Sequence, residues 1–181
     1  MSSPLEINVR PIQRAPISHA SIEAEMRALL PLHPPTLIIR HKRENRKKCS
    51  LTPLEKCPGF NFASYPSASA PPLPEGGILL APDAPVLTPE DEGRPLVLID
   101  GTWDHAKKIE TWIASGGHVL ERRSLPPEWK TAYPRRQDVK TGLASIEALY
   151  AAYTLFGWER NHLLYKYYWR EDFLLENQII T

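Results

Sequence analysis

The apolar residues of this chain form short runs that alternate with amphipathic segments. Apolar runs that are rich in branched side chains and bounded by proline, glycine or charged residues predict four buried strands, at residues 36–39, 77–81, 96–99 and 118–120. Apolar side chains at helical spacing or in aromatic-rich stretches predict four helices, at residues 18–30, 103–115, 144–156 and 163–178.

The order of these elements indicates the fold class. Strands that alternate with helices favour an α/β fold, in which a parallel sheet carries helices on both faces. Residues 1–35 predict an N-terminal arm and helix, and residues 36–181 predict the main domain. Residues 58–77 are rich in Pro, Ser, Ala and Gly and predict a loop. Because ligands of such sheets bind beyond the carboxyl ends of the strands, functional residues are expected directly after each strand.

Composition limits the classes of function that this chain can have. Hydrophobic residues make up 42% of its 181 residues and charged residues 24%, which is typical of a globular protein. The two cysteines, Cys49 and Cys57, exclude a disulfide framework and a four-cysteine zinc site. No apolar run has the length of a signal peptide core or a membrane helix. We therefore expect a soluble, intracellular, cytoplasmic protein with no membrane partner and no bound metal.

Positive charge is concentrated in two places beside predicted strand ends. The formal net charge is only +1, so nucleic-acid binding has to rest on such local clusters. The first cluster, the basic segment (residues 40–48), contains one acid and six cations: Arg40, Lys42, Arg43, Arg46, Lys47 and Lys48. The second is interleaved with Trp129 and Tyr133 and includes Arg122, Arg123, Arg135 and Arg136. Cations and aromatics together suit phosphates and unstacked bases, so both clusters predict RNA contact; a solvated surface is the alternative.

A compact polar sequence, Asp-Gly-Thr-Trp-Asp, follows the strand predicted at residues 96–99. It combines an acid at a strand end, a glycine suited to a tight turn, and a helix start. One interpretation is structural, with Asp100 bracing the turn and Asp104 stabilising the helix N-terminus. The other is that Asp100 carries chemistry.

The sequence Leu-Ile-Asp-Gly-Thr-Trp-Asp-His-Ala-Lys-Lys at residues 98–108 closely resembles the signature of the DTW-domain family. Motifs similar to those of the family also occur, in chain order, at residues 41–44, 123–126 and 141–148. Residues 168–177 resemble the tail of a related family, the transferases that complete a hypermodified pseudouridine in ribosomal RNA. Many DTW-domain proteins carry a cysteine-rich zinc segment, of which only Cys49 and Cys57 remain here, so no structural zinc is expected.

The resemblance implies a SPOUT-like α/β fold with a C-terminal trefoil knot. It also implies transfer of the aminocarboxypropyl group of S-adenosylmethionine to a uridine in RNA. The signature favours transfer RNA, which is the expected substrate, whereas the tail favours ribosomal RNA, which is the alternative. For Ser145 and Glu147, binding of polar cofactor groups and stabilisation of a helix start are both open. The cofactor-binding residues that the resemblance implies are Leu80, Ala81, Pro82, Thr102, Trp103, Leu125, Leu143, Ala144, Ser145, Ile146 and Glu147.

The chemistry of such a transfer sets the demands on the site. The sulfonium of S-adenosylmethionine has three electrophilic carbons, so positioning decides which group moves. Asp100 is the best candidate to accept or orient the imide proton of the base. The pKa of an ordinary Asp carboxyl, about 4, lies far below that of an imide, which favours orientation. Two other functions remain open: a SPOUT-type RNA methyltransferase and a non-catalytic RNA-binding protein.

Overall fold

The computed structural model describes residues 33–134 and 142–179, with a five-stranded sheet at its centre. All four neighbouring strand pairs are parallel, and the strand order is β2-β1-β4-β3-β5. The strands are β1 (Thr36–His41), β2 (Phe60–Tyr65), β3 (Ile78–Leu80), β4 (Leu96–Asp100) and β5 (Glu121–Arg123). The predicted α/β fold with a parallel sheet is confirmed.

Within residues 33–134 and 142–179, three α-helices pack against the sheet: α1 (Trp103–Ser115), α2 (Ser145–Leu155) and α3 (Arg170–Glu176). Short 3-10 helices span Thr52–Lys56 and Pro89–Asp91. Helix α1 begins where the Thr102 hydroxyl accepts a hydrogen bond from the backbone N–H of His105, and it ends before Gly116. The structure confirms the predictions for α1 and α2, and α2 differs from its predicted bounds by a single residue at each end.

Side chains of the central strands alternate between two cores because successive strand residues point to opposite faces. Ile38 and Leu98 pack in the larger core, which contains α2 and the C-terminal segment. Leu37, Ile39 and Val97 pack in the smaller core with the apolar side of α1. Helices therefore cover both faces of the sheet, as predicted.

The two edge strands are the elements that sequence patterns misplaced. The predicted loop at 58–77 contains β2, whose short run pairs with β1 from Thr36↔Phe60 to His41↔Tyr65. The strand predicted at 118–120 lies instead at Glu121–Arg123, and Val119 is almost fully exposed. An edge strand pairs on one side only, so its formation depends on a neighbour's backbone more than on its own apolar pattern.

The predicted final helix is also shorter than expected. Only Arg170–Glu176 is α-helical, while the preceding residues form successive turns. In those turns the backbone N–H of Leu163 donates to Arg160, and that of Tyr167 donates to Leu164. Leu163, Leu164 and Tyr167 are buried in the larger core, so tertiary packing replaces helical periodicity in this segment.

Several predictions lie outside the described residues: the N-terminal arm, the helix at 18–30, and Arg135 and Arg136 of the second basic cluster. Within the described part, no helix has the length and apolar character needed to span a membrane. The same residues contain no group of three His, Cys, Asp or Glu side chains arranged to hold a metal ion.

Candidate functional site

The candidate site lies where the central strands β1 and β4 end. The two strands are parallel neighbours, and their register places Arg40 directly beside Asp100. Both side chains are buried although both are ionisable. Burying an unpaired charge costs folding free energy, so the two side chains are buried as a pair. Their position marks the edge of the sheet at which polar groups meet.

Asp100 accepts hydrogen bonds from three different elements. Oδ2 accepts from Arg40 Nε at 2.7 Å and from the Cys49 thiol at 3.1 Å. Oδ1 accepts only a long bond from the Ser145 hydroxyl, at 3.4 Å. Oδ1 therefore retains most of its acceptor capacity, while Oδ2 is held in place.

The Cys49 thiol acts as a hydrogen-bond donor in this site. Burial, followed by the negative charge of Asp100, raises its pKa to about 11. The thiol is therefore protonated at neutral pH and lacks the thiolate character that a sulfur nucleophile needs. Glu44 is a second carboxyl near this edge, and burial together with the charge of Asp100 raises its pKa as well.

The Arg40 guanidinium is held by three partners. Nε donates to Asp100, one terminal nitrogen donates to Glu55, and the other donates to the Cys49 sulfur at 3.3 Å. The guanidinium also lies 4.9 Å from the centre of the Phe62 ring. Burial by itself lowers the pKa of Arg40, but the bonds to Asp100 and Glu55 outweigh it and raise the pKa. Arg40 thus remains charged.

Arg40, which is predicted to contact RNA, does not lie on the exposed surface with the rest of the basic segment. Its side chain is only 8% exposed and points toward Asp100. The reason is register: β1 continues two residues further than its apolar run and carries Arg40 into the sheet. The other predicted cations of the segment are exposed: Lys42, Arg43, Arg46, Lys47 and Lys48.

The start of α1 packs closely against the end of β1. A Cβ at Gly101 would lie 3.1 Å from the Cβ of His105 and 3.5 Å from that of His41, so a side chain there would displace its neighbours. The rings of His41 and His105 stack at 3.6 Å. Burial, followed by the nearby His105, lowers the pKa of His41. Beside this pair, Trp103 is 39% exposed at the first position of the helix.

Glu147, for which cofactor binding and stabilisation of a helix start were both open, is hydrogen-bonded within the protein. Its fully buried carboxylate accepts hydrogen bonds from four groups: the Thr131 hydroxyl, the backbone N–H groups of Ala132 and Ala144, and the Tyr167 hydroxyl. Four donors leave it little capacity for a ligand. Glu147 instead ties three segments together and anchors the start of α2, which carries Ser145.

The remaining predicted cofactor residues follow three adjacent strands of one sheet edge. Leu80 ends β3 and residues 81–82 follow it, residues 102–103 follow β4, and Leu125 follows β5, while 143–145 lead into α2 beside Asp100. Leu80 and Ile146 are buried in the core. The partly or fully exposed members are Ala81, Pro82, Thr102, Trp103, Leu125, Leu143, Ala144 and Ser145.

A concavity of about 360 Å³ lies elsewhere, at the amino-terminal edge of the same strands. Its lining includes Gly77, Arg94 and Leu120, which come just before β3, β4 and β5. None of the predicted site residues lines it. Because parallel sheets bind ligands at the opposite edge, and because Asp100 and its partners lie there, the carboxyl edge is the better candidate.

The second basic cluster is largely paired in the described residues. Arg123, which is predicted to contact RNA, donates to Asp91 at 3.0 Å and also pairs with Glu121. Arg122 remains half-exposed, with Glu110 at 3.7 Å. The prediction treated this cluster as a single charged surface, but the acids of neighbouring elements neutralise part of it.

Sequence reasoning found Asp100 but missed the residues around it. Cys49 and Glu55 are separated from it along the chain, and no motif linked them to the signature. His41 belongs to the family-like motif at residues 41–44, but its stacking on His105 beside Asp100 was not predicted. The one available signal was the position of Arg40 and Asp100 at the ends of two predicted strands. Neighbouring parallel strands bring such positions together at one edge.

Comparisons with known proteins agree with the fold. No protein-family model matches the sequence, and no curated protein sequence matches it. Among solved structures, the chain is similar to the SAM-dependent rRNA aminocarboxypropyltransferase Tsr3 from Vulcanisaeta distributa. The TM-score is 0.62 and the sequence identity is 29%, over 80% of this chain and 79% of that chain. The similarity supports the SPOUT-like α/β fold expected from the sequence; the C-terminal knot stays a prediction.

Proposed function

We propose that this protein transfers the 3-amino-3-carboxypropyl group of S-adenosylmethionine to a uridine-type base of RNA, with ribosomal RNA as the favoured substrate. The observation that carries the proposal is the similarity to Tsr3 over most of both chains. The buried, hydrogen-bonded Asp100 at the ligand edge of the sheet supports it independently. Transfer RNA is the second candidate, favoured by the DTW-like sequence at residues 98–108.

The exposed surface around Asp100 has the chemistry that this cofactor requires. Leu125 and Leu143 are partly buried against the larger core, which leaves apolar surface suited to an adenine. The hydroxyls of Thr102 and Ser145 offer polar contacts at the same edge. Trp103, 39% exposed, adds an aromatic side chain at the same edge.

When bound, the cofactor supplies a sulfonium-activated carbon, whose bond to sulfur breaks as the new carbon–nitrogen bond to the base forms. The base loses its imide proton in the same reaction, and Oδ1 of Asp100 is the acceptor oriented toward it. Arg40 and Cys49 hold Oδ2 and keep the carboxylate from rotating. We propose that Asp100 mainly orients the base, with proton acceptance as its secondary role.

RNA would approach along the exposed cations of the basic segment. These side chains lie directly after β1, so they border the edge that contains Asp100. With a formal net charge of +1, the protein has little long-range attraction for RNA, and affinity depends on these local contacts. The phosphates thereby set the register of the base relative to Asp100.

The proposal is tested by incubating the protein with RNA and S-adenosylmethionine labelled either in the methyl group or in the carboxyl carbon, followed by nucleoside mass spectrometry. We expect only the carboxyl label to enter RNA, and to do so in ribosomal RNA. Entry of the methyl label would identify a methyltransferase instead. RNA binding without either label would identify a non-catalytic protein, and label in transfer RNA alone would select the second candidate.

A further inference from the structure

Four side chains of alternating charge form a chain of ion pairs that runs from the protein surface to Asp100, its last member. They are Arg46, Glu55, Arg40 and Asp100, and their exposed fractions fall from 67% at Arg46 to 21%, 8% and 7%. Glu55 uses a different oxygen for each arginine, Oε1 for Arg40 and Oε2 for Arg46. The chain therefore begins on the basic segment and ends on the proposed catalytic carboxylate.

We infer that Glu55 is a positioning residue that links phosphate binding at Arg46 to the carboxylate of Asp100. The inference rests on the proposed function. Glu55 belongs to the 3-10 helix Thr52–Lys56, which is fixed in the core by the buried Leu54. Its backbone thus keeps the carboxylate within reach of both arginines.

A phosphate at Arg46 competes directly with Glu55, because the two anions use the same guanidinium. Once Arg46 turns to the phosphate, Glu55 balances Arg40 alone. Arg40 then shares more of its charge with Glu55, while its Nε still holds Oδ2, so Oδ1 of Asp100 engages the base more strongly. The arrangement makes Asp100 most available when the RNA backbone is correctly placed.

R46A and K48A are each introduced into the native protein and into E55Q. For every variant the test measures the affinity for a labelled oligouridine and single-turnover transfer to small-subunit ribosomal RNA. Lys48 is the matched control, an exposed cation of the same segment that forms no ion pair among the described residues. We expect R46A to weaken binding about three-fold more in E55Q than in the native protein, because Glu55 no longer shares Arg46. K48A should weaken binding by the same factor in both.

At saturating RNA we expect E55Q to slow transfer about ten-fold without weakening RNA binding, and E55D to restore part of the rate. A purely structural role would instead lower the melting temperature and weaken both properties together. Equal penalties for R46A in the two backgrounds, or an unchanged transfer rate in E55Q, would overturn the inference. If the native protein binds RNA but transfers no group, the proposed function fails, while the affinity comparison still decides whether Glu55 couples to Arg46.

Discussion

Replacing Asp100 with asparagine removes one buried charge and changes the volume of the side chain very little. The asparagine oxygen can still face Arg40 and Cys49, and its NH₂ group can donate to Ser145. The substitution therefore leaves the packing at the end of β4 intact and tests the carboxylate charge alone. It also separates the two interpretations of Asp100 that the sequence left open.

The structure predicts a substantial loss of stability from this change. Removing one partner of a buried ion pair costs about 3–5 kcal/mol, because the other charge stays buried without its counter-charge. Arg40 keeps Glu55 as a partner, which favours the lower end of that range. We expect a loss of about 3 kcal/mol, which for a chain of this length lowers the melting temperature by about 6–12 °C.

The assay combines thermal unfolding with single-turnover transfer well below the melting temperature. If Asp100 accepts the imide proton, transfer falls by about 10²–10⁴-fold, and a purely orienting role gives a smaller loss. The double variant R40M/D100N is the control, since it removes the charge that asparagine leaves unpaired. It should regain stability without regaining activity. Near-native transfer by D100N would refute the catalytic role, and an unchanged melting temperature would refute the buried ion pair.

Three further predictions follow from the described contacts. The variant K47A/K48A should bind RNA more weakly, with the slope of log affinity against log salt reduced by about 0.7 for each lost phosphate contact; an unchanged slope would place the RNA surface elsewhere. E147Q should lower the free energy of unfolding in urea by about 3 kcal/mol, because an amide NH₂ would face donors from which the carboxylate accepts hydrogen bonds. Loss of cofactor affinity at unchanged stability would instead identify Glu147 as a cofactor ligand. Burial lowers the pKa of three described histidines, His33, His41 and His162, below the ordinary value of 6.5. As the pH drops below 6.5, the unfolded chain therefore binds more protons than the folded protein, and the melting temperature should fall. H33F keeps the ring stacked on Trp158 and should make this pH dependence shallower.

The sequence by itself determined the central elements of the fold. The apolar runs that became β1, β3 and β4 are buried on both faces of a parallel sheet, so their pattern is strong and local. The helical spacing in α1 and α2 is equally local, since one turn of helix involves only neighbouring residues. Asp100 was found because it directly follows such a run.

Only the tertiary structure decided the edges of the sheet and the partners of Asp100. Strands β2 and β5 form through pairing with the backbone of a neighbouring strand. The residues of β2 and β5 do not by themselves predict this pairing. Arg40 lies 60 positions from Asp100 along the chain and Cys49 lies 51, and strand register and loop packing bring them together. A cation in the sequence looks the same whether it faces water or a buried carboxylate. For Arg40 and Arg123 that difference depends on which acids the folded chain places beside them.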